Sequence, residues 1–110
     1  MLAHNVIVSK LEKRLRVKLG CVTASCEEFR INGTDGEIDL YGFNSTRRIL
    51  FDIEVKGRDN PKNSTTAYHQ LDKGEAYLRK LFEDFEPFKL VRMYSFSDSN
   101  KKRGYNAIKF

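Results

Sequence analysis

The chain has 110 residues, 40% of them hydrophobic and 12% aromatic, with 20 Lys/Arg against 15 Asp/Glu and a net charge of +5. That size fits one domain, 1–110, and leaves no space for a second, while the apolar fraction excludes a disordered chain. No apolar run reaches the roughly 18–20 residues that a membrane span needs, and the start lacks the basic, apolar and small-residue pattern of a signal peptide, so the expectation is a cytoplasmic protein with no membrane partner. The charge is unevenly spread. Residues 1–30 hold six Lys/Arg against three Asp/Glu, residues 31–60 four against six, and residues 61–110 ten against six. An acidic middle between basic flanks suits a protein that gathers a cation in its centre and a polyanion around it. Cys21 and Cys26 lie five apart and would point to opposite faces of a strand. With no Cys/His pair at zinc-finger spacing, and with His4 and His69 isolated, they read as reduced structural thiols.

In chain order, Leu11, Leu15 and Leu19 repeat every four residues and predict a first helix. Ser9 with Glu12 offers a capping box, and Lys18 and Gly20 suit the C-terminal end. A start at Asn5 would add Ile7 and Val8 to its apolar face. Residues 21–31 form a strand, Asn32-Gly33 and Asp35-Gly36 mark a turn, and residues 37–43 form a second strand. Asn44-Ser45-Thr46 turns into a third, 48–56, where Ile49, Phe51, Ile53 and Val55 alternate. Residues 58–65 predict a loop. A second helix begins at Thr65 or Thr66, with Leu71, Gly74, Leu78, Leu81, Phe82 and Phe85 as its buried stripe. Gly74 costs helix propensity, which a close helix–sheet contact would explain. A fourth strand follows over 88–96, then a polar basic loop, 97–104, and a short edge strand over 105–110. The fold class is α/β: a mixed sheet with helices packed on it.

The third strand carries the chemistry. If Ile49, Phe51, Ile53 and Val55 face one way, Asp52, Glu54 and Lys56 face the other. Charges on so apolar a strand are expensive to desolvate unless they line a cleft or hold a cation. In the second strand Ile38 and Leu40 are expected on one face and Glu37, Asp39 and Tyr41 on the other. A hairpin through residues 44–46 then sets Asp39 beside Glu54, and two adjacent carboxylates repel unless a proton or cation lies between them. Mg²⁺ or Mn²⁺ suits such oxygen donors, and Lys56 on the same face can offset charge on a phosphoryl transition state. The plain alternative is a salt bridge from Lys56 to Glu54 or Asp39 on a solvated face.

Gly36-Glu37-Ile38-Asp39-Leu40 followed by Ile53-Glu54-Val55-Lys56 resembles the PD-(D/E)XK nuclease superfamily. Within it, the pattern is most similar to archaeal Holliday junction resolvases and to a bacterial group with a GEIDL…EVK signature. The resemblance spans about Gly33 to Leu81, including Lys73, Ala76, Tyr77 and Leu78. It implies a restriction-endonuclease-like core of order α-β-β-β-α-β, metal-dependent endonuclease activity on DNA, including branched or nicked forms, with Asp39 and Glu54 as metal ligands and Lys56 as the catalytic lysine. It also implies a helix-one glutamate near the metal, for which Glu12 is the candidate beside its capping role, and a second-helix glutamine, Gln70. The N-terminal stretch 1–9 and the strand 21–29 depart from the family pattern, so branched DNA does not follow. The alternatives are a nucleic-acid-binding module of the same fold that does not cut, or an RNA-directed nuclease. Arg47, Arg48, Arg58, Lys62, Lys73, Lys101, Lys102 and Arg103 are candidate phosphate contacts, and a homodimer would compensate for the small surface of one domain.

Overall fold

The computed structural model describes residues 4–58 and 60–98, without the side chains of residues 58, 97 and 98. The predicted basic loop beyond residue 98, with Lys101, Lys102 and Arg103, and the predicted edge strand 105–110 lie outside the described residues. The elements are α1 (His4–Leu19), β1 (Val22–Ile31), β2 (Thr34–Asn44), β3 (Ile49–Arg58), α2 (Pro61–Leu81), a 3₁₀ turn (Glu83–Phe85) and β4 (Lys89–Asp98). The four strands form one mixed sheet in the order β1-β2-β3-β4, antiparallel except for the β3–β4 pair. Strands adjacent in sequence can pair antiparallel through tight turns. The parallel β3–β4 pair needs a long crossover, and α2 supplies it.

Helix α1 starts earlier than the capping box predicts. Ser9 lies in its interior, and the face Ile7, Val8, Leu11 and Leu15 packs with Leu40, Phe51, Ile53, Val55 and Met93. Asn32 and Gly33, at φ 52° and 77°, make a two-residue hairpin turn between β1 and β2. Positive φ at both central residues matches the twist of the flanking strands, so Asp35 and Gly36 belong to β2 instead of the turn. Helix α2 also begins earlier than predicted, because Asn60 caps it: its Oδ1 accepts the Asn63 N–H at 2.8 Å, and Pro61 occupies the first turn. Most of the predicted 58–65 loop is therefore helix.

On the α2 side of the sheet, Phe29, Ile38, Tyr41, Phe43, Leu50 and Leu78 form a second cluster, with Phe82 packed against it. Leu81 and Phe85 are exposed, because the helix ends at Leu81 and the chain turns away. Among the described residues no helix is long and apolar enough to cross a membrane, and Cys21 and Cys26 are free thiols.

Candidate active site

The site is built where the sheet's hydrogen-bond ladders are interrupted. Between β1 and β2 the pairs Ser25–Leu40 and Glu27–Ile38 flank an unpaired Cys26–Asp39 position, and Cys26 has φ 52°. Between β2 and β3 the pairing stops at Leu40–Ile53. Asp39 sits at both interruptions. Its Oδ2 accepts the Val55 backbone N–H at 2.8 Å, so a side chain replaces the missing rung. The same distortion overturns one expectation. Ile38 packs in the α2-side cluster and Leu40 in the α1-side cluster, so the simple alternation across residues 38–40 does not hold.

Asp39 is 4% exposed and Glu54 5% exposed. A hydrogen bond joins the two side chains, and the Glu54 carboxyl is held far above the usual carboxylate range. Burial is the main cause, followed by that hydrogen bond and the charge of Asp39, while the Lys56 ammonium pulls the other way. Without a cation, the pair shares a proton.

Asp39, Glu54, Lys56 and Gln70 line one cleft of about 330 Å³, together with His4 and Glu37. Gln70 comes from α2, and its Oε1 is buried with no hydrogen-bond partner among the described residues. His4 comes from the first turn of α1, and its Nε2 lies 3.2 Å from Asp39 Oδ2. A larger concavity of about 600 Å³ shares Glu37 and Gln70 and runs on along Glu28, Arg30, Asp35 and Gly36. Beside it, the Tyr77 and Tyr41 hydroxyls both donate to Glu27.

Glu12 is not in the cleft. Its carboxylate accepts the Thr23 hydroxyl at 2.8 Å, tying α1 to β1. The residue that α1 does bring to the cleft is His4, and an isolated histidine carries no spacing signal by which a sequence could reveal it. Glu37 falls on the expected acidic face, but nothing in the strand pattern distinguishes it from its neighbours. Asp52 is 2% exposed, packed beneath Gly74 of α2, with no hydrogen-bond partner for Oδ2 among the described residues and its carboxyl pushed up to about 7. Burial again dominates, Arg92 opposes it, and Glu75 and Asp39 add to it. Of the other basic candidates, Lys62 is exposed, Lys73 Nζ approaches the Asp35 carbonyl at 3.5 Å, and the Arg48 guanidinium donates to the Phe85 carbonyl.

Among the described residues no three His, Cys, Asp or Glu side chains are arranged as a ready cation cage. The donors in the cleft are of another kind: two adjoining carboxyl groups and an amide oxygen with no hydrogen-bond partner among the described residues. Hard oxygen donors of this sort, with one excess proton to displace, fit Mg²⁺ or Mn²⁺, which keep several waters and need few protein ligands. No family model matches the chain, and no curated protein matches it.

Proposed function

We propose that this protein is a Mg²⁺- or Mn²⁺-dependent phosphodiesterase that cuts DNA as an endonuclease, on a restriction-endonuclease-like fold. The observation that supports this most is the buried Asp39–Glu54 pair in one cleft with Lys56 and with the Gln70 Oε1, which has no hydrogen-bond partner among the described residues. Burying two adjoining acids costs stability unless a proton or a cation lies between them, and such groups concentrate at functional sites.

Asp39, Glu54 and the Gln70 amide oxygen would hold the cation. When bound, the cation polarises a phosphoryl oxygen and lowers the pKa of a coordinated water. Val55 N–H fixes the Asp39 carboxylate, so its orientation needs no reorganisation when a ligand arrives. Lys56, half-buried on the Glu54 side of β3, offsets the negative charge that grows on the phosphoryl oxygens. His4 shields the solvent side of Asp39. A dimer would present two clefts to two strands.

The test is a cleavage panel of duplex, four-way junction, single-stranded DNA and RNA with Mn²⁺. DNA cleavage that chelator, Glu54→Ala and Lys56→Ala each abolish supports the proposal. Cleavage that survives both substitutions refutes it, and preferential RNA cleavage transfers it to an RNA-directed nuclease. His4 on Asp39, with no three-residue cage among the described residues, favours a second reading, a nucleic-acid-binding module that does not cut. That reading predicts salt-sensitive binding with no cleavage and no uptake of Mn²⁺ by calorimetry.

A further inference from the structure

The exposed charges of α1 are all of one sign. Lys10, Lys13, Arg14, Arg16 and Lys18 point to solvent, and the helix's one acid, Glu12, is taken by Thr23. None of the five forms an ion pair among the described residues, whereas Arg79, Lys80 and Arg92 each do. Arg79 meets Glu75 at 2.9 Å, Lys80 meets Glu83 at 3.5 Å, and Arg92 meets Asp72 at 2.8 Å. The helix dipole accounts for Arg16 and Lys18 in the last turn. It does not account for Lys10, Lys13 and Arg14, which stand three and four residues apart and repel one another.

Lys10, Lys13, Arg14, Val17 and Lys18 line one concavity of about 290 Å³ with no carboxylate in it. From residue 10 to residue 18 the stripe runs roughly 12 Å along the helix axis, a span that covers roughly three phosphates of one DNA strand at about 3.4 Å each. No aromatic side chain lines it, and Val17 is its one apolar member, which disfavours insertion into a lipid surface. At its other end the same helix carries His4 into the Asp39 cleft. We infer that this face of α1 is a docking surface for the phosphate backbone of duplex DNA, leading along the helix toward the carboxylate cleft. The choice of nucleic acid over other polyanions rests on the phosphodiesterase reading of that cleft. The unmatched charge does not.

The experiment measures binding of a labelled duplex by fluorescence anisotropy in EDTA, from 50 to 200 mM NaCl, for the full chain and for K10Q/K13Q/R14Q/K18Q. The slope of log affinity against log salt falls by about 0.9 for each phosphate that is no longer neutralised, so by roughly 2 to 4 in the quadruple variant, with at least a tenfold loss of affinity at 50 mM. R79Q/K80Q, which removes ion-paired cations, keeps the slope of the parent. A quadruple variant with the parent's affinity and slope overturns the inference. If circular dichroism shows that it does not fold, K10Q/K13Q and R14Q/K18Q are measured separately, and each must lower the slope by about half as much. Tighter binding to phosphatidylserine vesicles or to poly-glutamate than to DNA at equal salt overturns the assignment to nucleic acid. The two readings fail separately. A chain that never cuts but whose slope falls as expected keeps the surface and loses the phosphodiesterase, while Glu54→Ala removes cleavage and leaves the slope.

Discussion

Asp39 Oδ2 accepts the Val55 backbone N–H at 2.8 Å, one rung past the last β2–β3 pair, so an acid side chain closes the sheet where backbone pairing ends. The carboxylate that faces Glu54 is thus also a structural latch. The two duties separate on substitution. Asp39→Ala orphans a buried N–H, which costs about 1–3 kcal/mol. Asp39→Asn keeps an acceptor and removes the charge beside Glu54, so it is expected to be more stable than Asp39→Ala and at least as stable as the parent in the absence of metal. Urea denaturation of the three proteins checks the order. An Asn variant as unstable as the Ala variant would contradict the latch.

Glu54 and Asp52 make the metal-free protein acid-favoured. Both carboxyls have folded-state values above their unfolded ones, Asp52 at about 7 against 3.8. Over that interval the folded state binds more protons than the unfolded state, so stability falls as pH rises. The benefit is fully present below about pH 4 and is lost for Asp52 as pH passes about 7, and for Glu54 at higher pH still. Thermal unfolding in EDTA is therefore expected to show a falling Tm between about pH 5 and 8. Asp52→Asn and Glu54→Gln should each flatten that decline. A Tm that rises across this range in the parent would count against the buried, protonated pair.

Gly74 sits where a Cβ would lie 3.0 Å and 3.2 Å from the two Asp52 oxygens and 3.3 Å from Ile38 Cγ1. Alanine gains about 1 kcal/mol of helix propensity over glycine, yet Asp52 is too deeply buried to swing away. Gly74→Ala is expected to destabilise the parent. In an Asp52→Ala background the same change should be neutral or stabilising. A double-mutant cycle reads the coupling directly, and additivity would show that the two side chains do not compete for space.

Mn²⁺ held by the cleft binds the folded state and not the unfolded chain, so it stabilises the fold by mass action, even though it must displace the shared proton. At a hundredfold excess over Kd the gain is about 2.7 kcal/mol, several degrees in Tm. Glu54→Ala should abolish the shift and Gln70→Ala should reduce it. Glu12→Gln, outside the cleft lining and bound to Thr23, should leave it unchanged. A Glu12→Gln variant that loses the shift would restore the first-helix glutamate to the metal site that the resemblance implies.

Much of this protein is written in short-range pattern. Alternating side chains define β3, four-residue spacing defines α1, and the order of helices and strands follows from one helical and one alternating period. Parity within β3 is enough to expect Asp52, Glu54 and Lys56 on one face, since successive residues of a strand must point in opposite directions. Other features depend on which distant segments meet. His4 reaches Asp39, Glu12 turns instead to Thr23, and Gly74 closes over Asp52, each across a sequence separation that no local period spans. The break in alternation between Ile38 and Leu40 likewise arises only when β1 and β3 both leave Asp39 unpaired. Local sterics decide what an element is. The long-range packing of α1 and α2 against the sheet decides which of its polar groups are buried together, and that burial is what makes two ordinary carboxylates a candidate site.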